Sequence, residues 1–309
     1  MSLAPIILFV YNRPWHTQQT VEALQKNELA SESDLFIFAD GPKTDASEEC
    51  LANISKVRNY IHKIDGFKSI TIEESTENKG LANSVIAGVS KIINQFGKVI
   101  VVEDDIVTHP FFLRFMNEAL DTYEINHKIF CVGGYQYKFR IPFWYRKTVY
   151  IVHRAETWGW ATWLDRWNNV DWDINDYNKF INSPSEIKLF TRGGKDMLNL
   201  LKLQMNNAID SWAIRWDYCM YKNDAYCMRP TASLTTNIGF DNSGTHCGYI
   251  NAEELPQIYS GIYFFQFPIR IRCNRIIAKR FKLTNEGEKN VYKRLVIGIK
   301  KALKETFLH

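Results

Sequence analysis

A row of acidic side chains follows an apolar run in the segment KVIVVEDDIVTHP, which spans residues 98–110. The β-branched run Val99–Val102 predicts a buried strand, and Glu103, Asp104 and Asp105 come directly after it. Neighbouring carboxylates repel one another, and a bound cation would relieve that repulsion. Mg²⁺ or Mn²⁺ prefers oxygen ligands and commonly takes one or two carboxylates together with substrate phosphates. A solvated acidic turn ahead of the next helix is the structural alternative.

Further polar side chains follow three other apolar runs of the first hundred residues. They are Asn12 and Arg13 after PIILFVY, Asp40 after DLFIFA, and Asn78, Lys79 and Gly80 after SITIEE. The last group precedes an amphipathic segment, and backbone N–H groups at a helix start, with a Lys beside them, suit phosphate or ribose. A simple helix-capping turn is the alternative for that group. The pattern predicts that polar groups from four strands share one edge of a sheet.

The elements that position these residues alternate between strands and helices. Each of the four apolar runs is followed by a segment with helical spacing, and these helices are predicted over residues 14–26, 46–62, 81–96 and 110–123. Near-continuous apolar strands in such an alternation predict a mostly parallel α/β sheet with helices on both faces. In these sheets, ligands bind beyond the carboxyl ends of the strands. The acidic row is therefore predicted at a ligand-binding edge.

The second half of the chain is richer in aromatic residues. IFCVGGY and TVYIVHR predict strands, and residues 170–209 predict a polar, helical insert. In ETWGWATWLDRW, the spacing of Trp160, Trp163 and Trp167 predicts a helix face packed in the core. Trp158 and Gly159 precede that helix and, together with Trp160, predict an aromatic loop on which a sugar ring could stack. A purely structural role in the core is the alternative for these indoles.

Composition excludes several classes of protein. A chain of 309 residues that is 46% hydrophobic and 23% charged is globular rather than disordered. It contains no Walker A loop, no GxGxxG after the first strand, no GxSxG and no HExxH. None of the six cysteines forms a CxxC pair, which predicts free thiols in a reducing cytoplasm. No apolar run reaches the roughly 18 residues of a membrane helix, and APIILFVY is too short for a signal-peptide core.

The C-terminal segment is strongly basic. Residues 268–309 contain 12 Lys or Arg and 3 Asp or Glu, a net charge of +9 in a chain of net charge +4. An apolar residue recurs every four positions from Val291 to Phe307, with lysines between. Such a basic amphipathic helix is typical of membrane-surface or partner binding, and packing against the body of the protein is the alternative. No nucleic-acid-binding motif accompanies the charge.

Taken in order, these motifs resemble glycosyltransferases of the GT-A fold, in which a DxD-type acidic motif binds a metal and a nucleotide sugar. Within that fold, the chain most resembles the inverting N-acetylglucosaminyltransferase I group and related bacterial sugar transferases. The resemblance covers roughly residues 5–250. It rests on the segments PIILFVYNRP, FADGPK, VIVVEDDIVTHPFFLRF, ETWGWATW, IDSWAIRW, AYCMRPTASLTTNIG and GTHCG.

The resemblance implies a GT-A-like fold and a role for each matched residue. Asn12 and Arg13 would contact the nucleotide, and Asp40 would contact the base. Asp104 would bind ribose or sugar hydroxyls, and Glu103 would lie near the sugar. Trp158, Gly159 and Trp160 would face donor sugar and acceptor. Asp105 would ligate Mn²⁺ or Mg²⁺, and His246 would face the metal or the diphosphate. Asp210 would be the catalytic base.

Two departures from the family pattern concern the base and the first strand. The family often has two acids before the Trp, and the second is the base, but here that position is Ser211. Asp217 is therefore retained beside Asp210 as a candidate base. The first-strand Asp of the family is Asn12 here.

The predicted activity is metal-dependent, inverting transfer of a sugar to a hydroxyl of a glycan or lipid-linked acceptor. The predicted donor is a nucleotide sugar, namely a UDP-sugar such as UDP-GlcNAc. The setting would be bacterial surface polysaccharide synthesis, in the cytoplasm or at the inner face of the plasma membrane. The predicted organisation is a nucleotide-binding half over 1–106, an acceptor-binding half of the same domain over 107–265, and a basic tail over 266–309. A sugar nucleotidyltransferase and a non-catalytic binding module are the alternatives.

Overall fold

The computed structural model describes residues 2–137, 139–241 and 264–287. Eight strands form one sheet in the order β3-β2-β1-β4-β8-β6-β9-β7, and two short strands, β5 and β10, pair separately. The strands are β1 Ile6–Val10, β2 Asp34–Ala39, β3 Ser69–Glu74, β4 Lys98–Glu103, β5 Ile106–Thr108, β6 Ile129–Gly133, β7 Val149–Val152, β8 Trp160–Trp163, β9 Tyr226–Pro230 and β10 Thr235–Asn237. Only β8 and β7 run against the other strands of the large sheet.

Helices cover both faces of the sheet, so the predicted fold class, a mostly parallel central sheet flanked by helices, is confirmed. The helices are α1 Pro14–Gln25, α2 Glu48–Ile61, α3 Leu81–Phe96, α4 Phe112–Tyr123, α5 Leu164–Trp167, α6 Tyr177–Ile181, α7 Pro184–Phe190, α8 Asp196–Met205, α9 Trp212–Lys222 and α10 Arg275–Gly287. The four helices predicted in the first part of the chain are observed within two residues at each boundary.

The near-continuous apolar strands are buried on both faces, as the sequence pattern predicts. All five residues of β1 are buried, and its side chains alternate between two apolar clusters. Leu8 contributes to the cluster beneath α1, α2 and α4, whereas Phe9 contributes to the cluster beneath α3 and α9. Burial on both faces explains why β1 and β4 carry few polar residues before their ends.

Strand order reverses between β1 and β4. From β1 the chain moves outward to β2 and β3, and then returns to place β4 on the other side of β1. Val10 aligns with Ala39, and Phe9 aligns with Glu103, so the carboxyl ends of these strands lie at one edge. Such switch points are the ligand-binding crevices of open α/β sheets.

The tryptophan-rich segment forms a strand rather than the predicted helix. Trp160–Trp163 is β8, which lies between β4 and β6 in the middle of the sheet, and the helical turn begins only at Leu164. Trp160 pairs with Val101 and Gly133 and is fully buried. Spacing alone could not separate a short buried strand from a helix. The predicted core role of these indoles is confirmed.

The insert after β8 is helical, as predicted, and adds a third apolar cluster beside the sheet. Helices α6, α7 and α8 pack against α9 through Phe180, Phe190, Leu201 and Tyr218. Since β1–β4 and β6–β9 belong to one continuous sheet, the two predicted halves share a single core. The boundary near residue 106 stays a prediction.

Two sequence predictions fall partly or wholly outside the described residues. His246 and the amphipathic segment 291–309 are among the residues that the structure does not describe. In the described part of the chain, no helix is long and apolar enough to cross a bilayer.

Candidate active site

Arg13 joins the acidic row at the switch point. It follows β1 and precedes α1, and its Nη2 donates to Asp105 Oδ2 at 2.9 Å and also to Asp104 Oδ1. Both aspartates are 5% exposed. The backbone N–H of Tyr11 also donates to the Asp104 carboxylate. One guanidinium thus holds two buried carboxylates, and the structure brings together three residues that the sequence predicted at one site.

The charge at this site is not balanced by Arg13 alone. Burial, together with the charges of Asp105 and Asp104, raises the pKa of Glu103 to about 8. Burial also raises the pKa of Asp104 to about 6, although Arg13 opposes the change. Three carboxyl groups and one cation leave a site that favours additional positive charge.

One oxygen of the acidic row has no hydrogen-bond partner. Asp105 Oδ1 is buried and unpaired among the described residues, and so is Arg13 Nη1. Buried polar atoms usually have a partner, so these two atoms are available to a ligand. A carboxylate oxygen suits a hard cation, and a guanidinium N–H suits a phosphate oxygen. In the described part of the chain, no three His, Cys, Asp or Glu side chains form a metal-binding group. Asp105 Oδ1 thus offers a single protein oxygen to a cation such as Mn²⁺ or Mg²⁺, whose remaining positions would be left to substrate oxygens and water.

The small sheet β5–β10 closes the site from the other side. Ile238 N–H donates to the carbonyl of Asp105 at 2.9 Å, which places Gly239 directly against the acidic row. A Cβ on Gly239 would lie 2.3 Å from Asp105 Oδ2 and 2.8 Å from Arg13 Nη1. A side chain at this position would require Asp105 or Arg13 to move. The segment NIGF contained this signal, but the sequence did not reveal which residues Gly239 would contact.

His16 is a site residue that sequence analysis missed. It is 5% exposed on the first turn of α1, and its Nε2 lies 3.1 Å from Asp241 Oδ2. Burial and the nearby charge of Arg13 lower the pKa of His16. Its position three residues after Arg13, on the same side of a helix, was the available signal.

Asp40 organises the loop after β3. Its carboxylate accepts hydrogen bonds from the backbone N–H groups of Gly41, Lys79 and Gly80 and from the side chain of Asn78, at 2.9–3.1 Å. Four donors occupy the usual capacity of one carboxylate. The structure thus brings the predicted residues of β2 and β3 together. Asn12 lies apart from this network, with its Nδ2 3.3 Å from Cys50 Sγ.

The aromatic loop lies at the same edge of the sheet, beside the β5–β10 pair. Gly159 has a φ of +78°, a conformation that favours glycine, and a Cβ there would lie 2.9 Å from Thr235. Trp158 is partly exposed and contacts Phe240 edge-to-face at 5.3 Å. Trp160, in contrast, is fully buried and stacks on Trp212. The prediction that Trp160 contacts a sugar is therefore corrected, because the side chain lies in the core.

A buried ion pair supports the aromatic loop from beneath. Glu156 pairs with Arg229 of β9, and their side chains are 2% and 0% exposed. The second carboxylate oxygen of Glu156 accepts the backbone N–H groups of Thr157 and Trp158 at 2.8 and 3.0 Å. The pair therefore couples the position of the loop to the sheet. Sequence analysis did not predict it, because the partners are 73 residues apart.

We expect Arg229→Met to destabilise the fold by roughly 3–5 kcal/mol, because it leaves a buried, uncompensated carboxylate. Arg192→Met is the matched control, since Arg192 pairs with the half-exposed Asp224 and should cost no more than about 1 kcal/mol. Urea unfolding of both variants measures the difference, and adding Glu156→Gln to Arg229→Met should restore part of the loss. Equal losses in the two single variants would contradict a special role for the buried pair.

The two candidate bases occupy different environments. Asp210 is exposed, and its Oδ1 lies 2.8 Å from Arg215 Nη2. It immediately precedes Ser211, whose hydroxyl caps the start of α9. Asp217 is buried on α9 and accepts the backbone N–H of Ala155 at 2.6 Å. Burial raises the pKa of Asp217 to about 7, opposed by Arg154.

The raised pKa of Asp217 predicts a loss of stability as the pH rises. Between the ordinary value of about 4 and the folded value of about 7, the folded chain holds this proton and the unfolded chain does not. From pH 5 to pH 8, wild type should lose roughly 3 kcal/mol more than Asp217→Asn, which cannot ionise. Urea unfolding at the two pH values tests this. Asp45→Asn, at an exposed loop position, should follow wild type; an Asp217→Asn profile parallel to wild type would contradict the assignment.

Comparisons with known proteins yield similarity to solved structures alone. No protein-family profile matches the chain, and no curated protein matches its sequence. S. aureus TarS 1-349 is 10% identical with a TM-score of 0.39, over 75% of this chain and 59% of that one. The mannosyltransferase PcManGT from Pyrobaculum calidifontis, in complex with GDP-Man and Mn²⁺, is 8% identical with a TM-score of 0.39, over 72% and 68%.

An apo UDP-glucose pyrophosphorylase is 11% identical with a TM-score of 0.37, over 76% of this chain and 93% of that one. The chain spans about three fifths of the TarS 1-349 chain, the first of these matches. Because all of these TM-scores lie below 0.5, they assign neither a family nor an activity to this chain.

Proposed function

We propose that this chain is a metal-dependent glycosyltransferase that moves a sugar from a nucleotide sugar to an acceptor hydroxyl. The observation that carries the proposal is the unpaired, buried Oδ1 of Asp105, next to Arg13 at the switch point between β1 and β4. A carboxylate, a guanidinium with a free N–H and a crevice at the strand ends are the elements that a cation–diphosphate ligand requires. The resemblance of the motifs to GT-A glycosyltransferases supports the same reaction.

The donor would bind across the switch point. When bound, the metal would act as a Lewis acid toward the leaving diphosphate. Arg13 Nη1 would donate to a phosphate oxygen, and the Asp104 carboxylate would accept a hydroxyl of ribose or sugar. Glu103 would lie near the sugar. Asn12 would contact the nucleotide. Asp40 would lie near the base and hold the loop of Asn78, Lys79 and Gly80 beside it.

The acceptor would enter beside the aromatic loop. Trp158 offers a partly exposed indole at the edge where β4 ends, and Gly159 allows the backbone to approach closely. Asp210 would accept the proton of the acceptor hydroxyl as its oxygen bonds to the anomeric carbon. The bond from that carbon to the nucleoside diphosphate would break on the opposite face, which inverts the configuration of the sugar. Asp210 fits this role because it is exposed and precedes Trp212, which stacks on Trp160 next to the loop. Asp217 would hold the backbone at Ala155 and remains the alternative base.

We further propose a UDP-sugar, such as UDP-GlcNAc, as the donor, and a glycan or lipid-linked acceptor of bacterial surface polysaccharide synthesis. Membership of the N-acetylglucosaminyltransferase I group, a metal-facing role for His246 and a cytoplasmic location at the inner face of the membrane belong to the same proposal. These finer assignments rest on the resemblance of the motifs.

Nucleotide binding tests the proposed function directly. Thermal unfolding is measured with UDP, GDP, dTDP and CMP, each with and without Mn²⁺. A rise in melting temperature with one nucleotide, dependent on Mn²⁺, is the expected result. Release of that nucleotide's diphosphate from the matching nucleotide sugar, in the presence of an acceptor, then tests turnover. If none of the four nucleotides raises the melting temperature, the proposal is contradicted.

A further inference from the structure

The end of the sheet at β7 carries an unusual surface, which we call the β7 surface. It consists of the loop 139–147 and the segment 264–284, which includes most of α10. The two segments contain nine Lys or Arg residues and no Asp or Glu. Among the described residues, these nine cations have no carboxylate partner, so this part of the surface is strongly cationic.

Large apolar side chains are exposed between these cations. In the loop, Phe143 is 83% exposed and Trp144 is 46% exposed. On α10, Ile276 and Leu283 are 48% and 53% exposed. Isolated exposed apolar residues are ordinary, but a group of them among unpaired cations marks an interaction site.

Helix α10 carries apolar side chains on two opposite faces. Ile277 and Phe281 are 0% and 1% exposed and anchor the helix in the core. The opposite face presents Ile276 and Leu283 with Lys279 between them. This spacing of 3 and 4 places the exposed apolar side chains on one stripe of the helix. The buried face already has its partner, so the outer stripe is left for a second one.

The loop and the helix form one folded unit. Arg280 donates to the backbone carbonyl of Arg140, and Phe139 contacts Phe281 edge-to-face at 6.3 Å. The loop leads into β7, whose first residue, Val149, pairs with Pro230 at the carboxyl end of β9. Because β9 is parallel to β6 and β4 runs the same way, this loop lies at the edge of the sheet that carries the candidate active site.

We propose that the β7 surface docks on an anionic phospholipid bilayer. Lys and Arg side chains would bind the lipid phosphates, while Phe143, Trp144, Ile276 and Leu283 would insert at the boundary between headgroups and acyl chains. A nucleic acid would neutralise the charge but would offer the aliphatic side chains no apolar medium, so the exposed Ile and Leu favour the bilayer. The purpose of this docking rests on the proposed function. Docking would turn the edge of the sheet that carries the candidate active site toward lipid-linked acceptors.

Vesicle co-sedimentation of the full chain tests this proposal. We expect binding to vesicles of phosphatidylcholine with phosphatidylglycerol, weakened by salt, and little binding to phosphatidylcholine alone. Lys279→Glu with Lys282→Glu should weaken binding roughly thirtyfold or more, because each cation near an anionic surface contributes about a fivefold gain. Phe143→Ser with Trp144→Ser should weaken it roughly tenfold or more, through lost insertion.

Matched controls use exposed positions far from the β7 surface. Lys56→Glu with Lys63→Glu, on and just after α2, and Leu189→Ser on α7 should bind like wild type. Asp105→Asn should also bind vesicles like wild type, because Asp105 lies outside the β7 surface. Vesicle binding therefore tests the docking proposal separately from the glycosyltransferase proposal. Equal losses in test and control variants would overturn the proposal. So would unchanged binding of both test variants, or binding to a polyuridine RNA in place of vesicles.

Discussion

Replacing Asp105 with Asn is expected to abolish the Mn²⁺-dependent stabilisation by nucleotide while leaving the fold intact. A nucleotide at about 100 times its Kd adds roughly 2.7 kcal/mol, which raises the melting temperature of a chain of this size by about 5 °C. Asn removes the charge that a cation requires but keeps an oxygen that can accept from Arg13. Differential scanning fluorimetry of wild type and Asp105→Asn, with and without Mn²⁺ and nucleotide, measures the loss.

The same variant carries an internal control in its ligand-free stability. Asp105 repels the neighbouring Asp104, and Arg13 keeps Asp104 as its partner, so removing the charge of Asp105 should change the ligand-free stability little. If the variant is as stable as wild type but shows no Mn²⁺-dependent rise in melting temperature with nucleotide, the cation binds at Asp105. Asp45→Asn, at an exposed position, should retain the full response. A nucleotide response that survives in Asp105→Asn would remove this residue from the metal site.

Replacing Asp210 with Asn is expected to lower kcat by about 10²–10⁴, the usual contribution of a general base. The KM for the donor should change little, because Asp210 is assigned to the acceptor hydroxyl and not to the nucleotide. A coupled assay of nucleoside diphosphate release gives both constants. Donor binding, measured by thermal unfolding, should match wild type and would show that the variant is folded.

Asp217, the other candidate base, lies on α9 and provides the comparison for this experiment. Asp217→Asn keeps an oxygen that can accept the N–H of Ala155, so its kcat should fall less than about tenfold if Asp217 only positions the backbone. A larger loss in Asp217→Asn than in Asp210→Asn would transfer the role of base to Asp217. Arg215→Lys, which retains the charge beside Asp210, is a further control for its ion pair.

The first half of the fold was predictable from local patterns. Runs such as Val99–Val102 are too apolar for any solvent-facing strand, and the segments between them repeat at helical spacing. Parallel strands joined by helices have few possible arrangements, and their carboxyl ends must share an edge. Arg13, Asp104 and Asp105 could therefore be assigned to one site before any contact was known.

The second half was less predictable because short aromatic segments satisfy two periodicities at once. Trp160, Trp163 and Trp167 fit a helix face, yet Trp160 and Trp163 belong to a central strand. Pairing with both β4 and β6 decides this, and these two partners are distant in sequence. As a result, the sequence could not separate Trp158, which is partly exposed at the cleft, from Trp160, which is buried.

What the sequence determined by itself is the class of chemistry: acids, an arginine and amides at the ends of buried strands. What only the tertiary structure decided is which atoms are satisfied. Asp40 has its four donors, Glu156 has Arg229, and Asp105 Oδ1 has no partner in the described part of the chain. These differences arise from contacts across tens of residues, where burial makes each unpaired polar atom costly. Local sequence carries no record of such pairings, because they are made only when the chain closes on itself.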